Sequence, residues 1–142
     1  DGFMSAEDKA KLDGLAGDST LSVDGTTDTA GKTTDATPTA ILTWTPDDDS
    51  VEQFVVQVCA LTQNGAKAAG YFITGAVRRN DGTTSLVGAI VKDTFELVST
   101  AAWDAAVQVT VSPVLGVVVT GEAATNILWS ATVRRRIISF PG

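Results

Sequence analysis

Histidine is missing from the 142-residue sequence, and its absence limits the catalysis that the chain can support. Without an imidazole there is no usual general base, no Ser–His or Cys–His nucleophile pair, and no supply of the commonest metal ligand. Glycoside hydrolysis would need only two facing carboxylates. We predict no catalytic residues and a non-enzymatic protein, because the spacing gives no reason to pair any two of the available carboxylates: Glu52, Asp93, Glu96, Asp104 and Glu122.

Clustered aspartates give a weak indication of a metal site. Asp47, Asp48 and Asp49 are consecutive, and Asp24 and Asp28 are four residues apart. Carboxylate oxygens are ligands that Ca²⁺ prefers. A run of aspartates in a turn is more typical of a solvated loop, so we predict neither a metal nor a cofactor.

Side chains suited to binding a saccharide occur at two places. Sugars stack their C–H faces on aromatic rings, while carboxylates and amides hold the hydroxyls. Trp103 lies between two predicted strands beside Asp104, which makes this pair a candidate site; the alternative is a tryptophan that covers the end of the domain. Asn80 and Asp81 precede Gly82 in a strong hairpin signal, and their tip is also a candidate contact loop.

Arginines are concentrated in two short stretches of an acidic chain, whose net charge is −7. If the two stretches lie on paired strands, Arg134 and Arg136 contribute to a basic patch that could recognise an anionic polysaccharide. The alternative is solvated charge, or pairing with acidic loops. Arg135 points to the opposite, apolar face, where a guanidinium cannot be buried unpaired. It therefore lies at the edge of the core or pairs with a carboxylate across a subunit boundary.

Apolar and polar residues alternate along most of the chain after Pro38, which is typical of strands. Trp129 and Trp44 occupy core positions in this pattern, Val111 is expected to face inward, and the lone Cys59 is expected to be buried. Many short strands without a second helix predict an all-β fold, an antiparallel sandwich or jelly roll over residues 39–142. The predicted strands are 39–45, 51–63, 71–79, 84–97, 107–112, 114–120 and 126–138.

The first residues predict a helix of about two turns, with Ser5 as N-cap and Gly14 as its C-terminal stop. Such a helix is far shorter than the roughly 12–15 residues that an isolated helix needs, so its apolar side chains require another surface. That surface is either the same domain or neighbouring copies in an oligomer. Residues 1–16 are thus a candidate trimerisation segment, and the Ser/Thr-rich residues 17–38 a linker or an extended arm over a neighbour. The candidate oligomerisation residues are Phe3, Met4, Leu12, Leu15 and Arg135.

Residues 2–14, Gly-Phe-Met-Ser-Ala-Glu-Asp-Lys-Ala-Lys-Leu-Asp-Gly, resemble a segment that recurs in tail fibre and related virion proteins of tailed bacteriophages, between a shaft and a C-terminal head. Residues 78–88 and 119–131 more loosely resemble β-rich domains of such proteins. The resemblance implies a homotrimeric external virion appendage, made in the host cytoplasm, that attaches to a host cell-surface polysaccharide. The alternative is a structural module: a capsid decoration, a head fibre or a shaft-capping trimerisation domain.

Bulk properties bound the remaining partners. The negative net charge gives no reason to expect binding to a nucleic-acid backbone. No apolar run approaches the length of a membrane span and no secretory signal is visible, so we predict no membrane insertion. The only methionine, Met4, lies inside the helical segment, and we expect a fragment of a longer protein that joins other virion proteins through a preceding region.

Overall fold

The structure is a computed structural model that describes residues 24–139. In this range the chain forms nine strands and one short 3₁₀ helix, and every strand pair is antiparallel, which confirms the predicted all-β antiparallel fold. The predicted N-terminal helix, with Phe3, Met4, Leu12 and Leu15, lies outside the described residues. In chain order the elements are β1 Asp24–Thr33, β2 Thr39–Trp44, β3 Ser50–Thr62, β4 Ala68–Asn80, β5 Thr83–Leu86, β6 Val91–Glu96, the 3₁₀ helix Val98–Thr100, β7 Asp104–Val111, β8 Val114–Thr120 and β9 Ile127–Ser139.

Two sheets pack face to face on one shared core. The larger sheet has the order β1-β9-β3-β4, with β5 and β6 both pairing with β4 at its edge, and the smaller has the order β2-β8-β7. This division into six and three strands differs from the eight strands of a jelly roll. The fully buried large side chains come from both sheets and include Phe54, Val56, Ile73, Leu115, Val117, Ile127, Trp129 and Val133.

The central strands β3 and β9 follow the alternation in the sequence closely. Phe54, Val56 and Val58 point into the core, and Trp129 is fully buried, as predicted. The prediction for Cys59 is wrong, since its side chain is exposed. Cys59 takes the outward position between two inward ones, and no other described strand packs on that outer face of the larger sheet. The apolar run therefore predicted the strand correctly but the burial of Cys59 incorrectly.

Strand β1 corrects the reading of the Ser/Thr-rich segment as a linker or an arm over a neighbour. Residues 24–33 pair with β9 of their own chain, from Asp24 opposite Arg136 to Thr33 opposite Ile127. Threonine suits an extended edge strand. Gly31 is needed where β1 passes β2, because a Cβ there would lie 2.8 Å from Cγ2 of Ile41. The continuous backbone pairing supplies the stability that apolar side chains do not.

Three further predictions concern turns and strand ends: one is confirmed and two differ from the structure. Asp81 and Gly82, with φ of 54° and 79°, form the predicted turn between β4 and β5. The single strand expected over residues 84–97 is two strands, β5 and β6, with Gly88 at φ 78° between them. Val111 is 75% exposed rather than inward-facing, because the register of β7 against β8 shifts just before it.

A buried carboxylate joins the two sheets near the point where the chain enters β1. Glu52 on β3 is 1% exposed. Its Oε1 accepts hydrogen bonds from Trp44 Nε1 at 2.6 Å and from Arg135 Nε at 3.1 Å, and its Oε2 accepts one from Arg135 Nη2 at 2.8 Å. The Arg135 guanidinium carbon lies 5.9 Å from the centroid of the Trp44 ring, within cation–π range. Half-buried Trp44 belongs to the smaller sheet, so one carboxylate links β2, β3 and β9.

Arg135 therefore pairs inside its own chain and not across a subunit boundary, which corrects its place among the oligomerisation residues. The physical reason is that Glu52 and Arg135 occupy neighbouring strands and both point inward. Each supplies the counter-charge that the other requires once water is removed.

We expect Glu52→Gln to lower the free energy of unfolding by about 3 kcal/mol, because Arg135 then keeps a poorly hydrated charge without a counter-ion. Urea unfolding followed by tryptophan fluorescence measures the change. Glu96→Gln, on exposed β6, is the matched control and should be close to neutral. Equal stability of the two variants would show that the buried pair does not stabilise the fold.

Candidate functional site

The outer face of the larger sheet carries the candidate arginines Arg134 and Arg136. They are alternate residues of β9, and in the register Val55 lies opposite Arg134 while Gln53 lies opposite Arg136. These four residues and Arg135 line a shallow groove of about 200 Å³, which we call the arginine groove. The structure thus brings the two candidates together on one exposed surface.

The five arginines of the two stretches divide between the faces of the sheet. Arg78 lies opposite Val51 of β3 and belongs to the outer face, like the arginine groove. Arg79 turns inward, where its Nη1 donates to the Pro46 carbonyl oxygen at 2.8 Å and its Nε lies 3.9 Å from Asp48 Oδ1. The condition for the expected basic patch is not met, because β3 separates β9 from β4 and the two arginine stretches do not pair. Arg78, Arg134 and Arg136 share the outer face, and only Arg134 and Arg136 are neighbours on one strand.

Trp103 lies inside the domain, at 2% exposure. Its ring centroid is 6.0 Å from that of Trp129, and its Nε1 donates to Glu122 Oε1 at 2.9 Å. The neighbouring Asp104 is exposed and pairs with Lys92. Because the indole is buried, it presents no ring face to a sugar. The contact with Glu122 joins distant parts of the chain and has no local signal in the sequence.

Asn80 and Asp81 form the exposed tip of the β4–β5 hairpin, away from Trp103 and Asp104. The Gly82 N–H of this tip donates to Asp48 Oδ1 at 3.0 Å, and this bond is the main reason why the pKa of the Asp48 carboxyl is lowered. Asn80 also lines an open depression of about 400 Å³ that includes Arg78 and Ile138. The three candidate pairs, Trp103 with Asp104, Asn80 with Asp81 and Arg134 with Arg136, thus lie at separate places and do not make one site.

A cluster of an indole, a carboxylate and a cation, formed by Trp103, Glu122 and Lys67, lies at the end of the core opposite to the Glu52–Arg135 pair. Glu122 accepts hydrogen bonds from Trp103 Nε1 at 2.9 Å, from Lys67 Nζ at 3.0 and 3.1 Å, and from Thr125 Oγ1 at 3.3 Å. The hydrogen bonds from the Trp103 indole and from Lys67 lower the pKa of Glu122. This network fixes the loop between β8 and β9 against the turn between β3 and β4.

Beside this cluster is an open depression of about 580 Å³, which we call the polar cleft. It lies between the β3–β4 turn and the loop that precedes β9. Sequence analysis missed it, because Asn64 and Asn126 become neighbours only through the pairing of Thr62 with Ile127. The sequence of each segment by itself is typical of an ordinary turn. The lining residues are Thr62, Gln63, Asn64, Ala66, Lys67, Ala124, Thr125 and Asn126.

Comparison with known proteins adds little to this picture. No protein-family model matches the chain, and no curated protein is significantly similar to it. A crystal structure of the tailspike protein of Acinetobacter baumannii phage AM24 is similar over 78% of this chain and 26% of that chain, with a TM-score of 0.36 and 8% identity. The chain thus corresponds to about a quarter of the tailspike's length. A similarity at this level supports no conclusion about fold or function.

Between residues 24 and 139, no three His, Cys, Asp or Glu residues lie close enough together to hold a metal ion. No helix in that range is both long enough and apolar enough to cross a membrane.

Tyr71, the only tyrosine, reports on the core beside Trp103. Its ring stacks on Trp129 at 6.4 Å between centroids, and its buried hydroxyl has no hydrogen-bond partner among the described residues. Burial raises the pKa of Tyr71 to about 12, and the negative charges of Asp104 and Glu96 add to the shift.

We expect the tyrosinate absorbance of the folded chain to appear with a midpoint near pH 12. In urea the midpoint should return to about 10. Because the folded pKa lies above the unfolded one, the stability gained from neutral Tyr71 is complete below about pH 10 and is lost as the pH rises toward the folded value. Circular dichroism at each pH verifies that the chain is still folded. A folded chain that titrates near 10 would contradict the buried, unpartnered hydroxyl.

Proposed function

We propose that the chain is a non-enzymatic part of a tailed-phage virion appendage that attaches to an anionic polysaccharide on the host surface. The arginine groove is the observation on which the ligand class depends. The assignment to a phage appendage depends on the resemblance of residues 2–14 to tail fibre proteins.

The geometry of the arginine groove suits a polymer with repeated negative charges. Alternate residues on one strand face place two guanidinium groups about 7 Å apart at their roots. Each guanidinium can bind a carboxylate, sulfate or phosphate through two parallel hydrogen bonds. Among the side chains of residues 26–139, no carboxylate forms an ion pair with Arg134 or Arg136, and Asp24 is the register partner of Arg136 on β1. The Gln53 amide beside the two arginines can bind a hydroxyl.

The acidic character of the rest of the chain directs such a polymer to this surface. With a net charge of −7, most of the protein repels an anionic chain, and the outer-face arginines form a local exception. Complementary potentials of this kind affect orientation and association rate more than affinity alone. Buried Glu52 forms an ion pair with Arg135, and half-buried Glu122 forms one with Lys67. These pairings support the non-enzymatic part of the proposal.

A second function, a structural virion module, is favoured by a different property of the same face. Antiparallel sheets commonly place polar residues on a solvated face. Here several large apolar side chains are exposed there, and contiguous exposed apolar surface marks association sites. They are Val51, Leu61, Val91, Phe95, Leu128 and Ile138. This surface supports contact with other virion proteins or with copies of the chain in the proposed homotrimer.

We expect Arg134→Ala combined with Arg136→Ala to weaken binding to polygalacturonate about a hundredfold, because each charged hydrogen-bonding group contributes roughly a factor of ten. Surface plasmon resonance measures the binding, with dextran as the neutral polymer. Lys32→Ala, exposed on β1, is the matched control. Unchanged binding by a folded double variant would overturn the proposed ligand class. Release of reducing ends from the polymer would overturn the non-enzymatic assignment.

We expect the full chain to be a trimer by light scattering at micromolar concentration, as the proposed appendage requires. Combining Phe3→Ser with Leu12→Ser should lower the oligomeric state if the N-terminal segment drives assembly. Val98→Ser, at a fully exposed position of the 3₁₀ helix, is the control and should leave the state unchanged. A monomeric parent chain would contradict the appendage. A trimer that binds no polysaccharide would favour the structural module.

A further inference from the structure

We propose that the polar cleft binds an uncharged sugar that carries an apolar substituent such as an N-acetyl group. The polar cleft is distinct from the arginine groove: it lies where β3 ends and β9 begins, whereas the groove lies toward the end of β9. The proposal uses neither the arginines nor the phage resemblance.

Three side-chain amides give the polar cleft its hydrogen-bonding character. Asn64 Oδ1 accepts hydrogen bonds from Thr62 Oγ1 at 2.9 Å and from the Ala66 N–H at 3.0 Å, which fixes the orientation of the amide and leaves its NH₂ group as a donor. Gln63 and Asn126 also line the cleft, and neither side chain makes a hydrogen bond within residues 24–139. Amides both donate and accept, as sugar hydroxyls do.

The charged residues near the polar cleft favour an uncharged ligand. Lys67 is the one ionisable side chain in the lining, and its Nζ is held 3.0 Å from Glu122 Oε2. Because Glu122 already neutralises Lys67, an anionic ligand would have to displace a carboxylate that also accepts hydrogen bonds from Trp103 and Thr125. Hydroxyl groups need no such exchange.

An apolar surface adjoins the polar cleft. A neighbouring depression of about 350 Å³ shares Thr62, Gln63 and Asn126 with the cleft. It adds the apolar Leu61, Ile127 and Leu128, and it has Lys32 in its lining as well. These leucines are register partners on β3 and β9, and they are 48% and 58% exposed, so they form one patch, the leucine patch. A sugar ring bound by the amides can therefore place a methyl group on the leucine patch. Neither depression has an aromatic ring in its lining, so ring stacking is not part of this binding mode.

The loop that carries Asn126 is held in place before any ligand arrives. Glu122 ties it to Trp103 in the core and to Lys67 on the other wall, and Thr125 Oγ1 also bonds to the Ala123 carbonyl oxygen at 3.0 Å. Binding then orders few additional groups, which lowers its entropic cost.

The test uses the ¹⁵N-labelled full chain and two sugars that differ in one group, N-acetylglucosamine and glucose. We expect both to shift the side-chain amide signals of Gln63, Asn64 and Asn126 in NMR spectra. N-acetylglucosamine should bind about fourfold more tightly, the factor expected for burying one methyl group. Absence of shifts with both sugars, or shifts confined to other residues, would overturn the site.

Variants separate the two halves of the proposed site. Gln63→Ala with Asn126→Ala should weaken both sugars at least tenfold, and Leu128→Ser should remove the preference for N-acetylglucosamine while leaving glucose binding unchanged. Gln57→Ala, an exposed amide in the middle of β3, is the control. A preference that survives Leu128→Ser would overturn the role of the leucine patch. Unfolding midpoints in urea verify that each variant folds.

The Arg134→Ala, Arg136→Ala double variant distinguishes this proposal from the proposed function. It should keep the sugar-induced shifts while it loses polygalacturonate binding. If polygalacturonate binds through the arginines and neither sugar shifts the amides, the polar cleft proposal is wrong and the proposed function stands. If the sugars bind and the charged polymer does not, only the proposed function is wrong.

Discussion

The carboxylate of Glu52 has been taken out of water, and it is tolerated there because Arg135 and Trp44 satisfy both of its oxygens. The three residues belong to three strands and two sheets, so the charge fixes how the sheets face each other. At the far end of the core, Glu122 holds Trp103 and Lys67 in a similar way, with a carboxylate that is partly exposed. Both ends of the core are thus closed by an indole that donates to a carboxylate.

This use of the indoles limits where binding can occur. Trp103 lies in the interior and half-buried Trp44 donates its N–H inside the chain, and the two proposed binding regions are instead on the outer sheet face and at the loop ends. Those two regions differ in chemistry. The arginine groove offers guanidinium groups on a strand surface, whereas the polar cleft offers amides between two loops that are joined by the Lys67–Glu122 ion pair. A single ligand chemistry would not suit both.

Local sequence patterns predicted the central strands but not the features that depend on contacts between residues far apart in the sequence. Alternation placed Trp129 in the core, and the Asn80-Asp81-Gly82 signal predicted a hairpin. Residues 24–33 were predicted as part of a linker or of an extended arm over a neighbour, because they carry little apolar surface, whereas their partner β9 is about a hundred residues away. The buried position of Trp103 depends on a bond to Glu122, 19 residues further along the chain, and the proximity of Asn64 to Asn126 depends on the pairing of β3 with β9. No window of sequence contains them.

The antiparallel pairing of β1 with β9 has a mechanical consequence. Asp24 lies opposite Arg136, whereas the polar cleft adjoins the other end of the same strands, where Thr33 faces Ile127. A pull between the start of β1 and a ligand held in the polar cleft would therefore run lengthwise along the strands. Ladder hydrogen bonds stand perpendicular to that direction, so they would share the load in shear instead of opening one after another. An edge strand with few apolar side chains can resist tension in this geometry far better than its composition suggests.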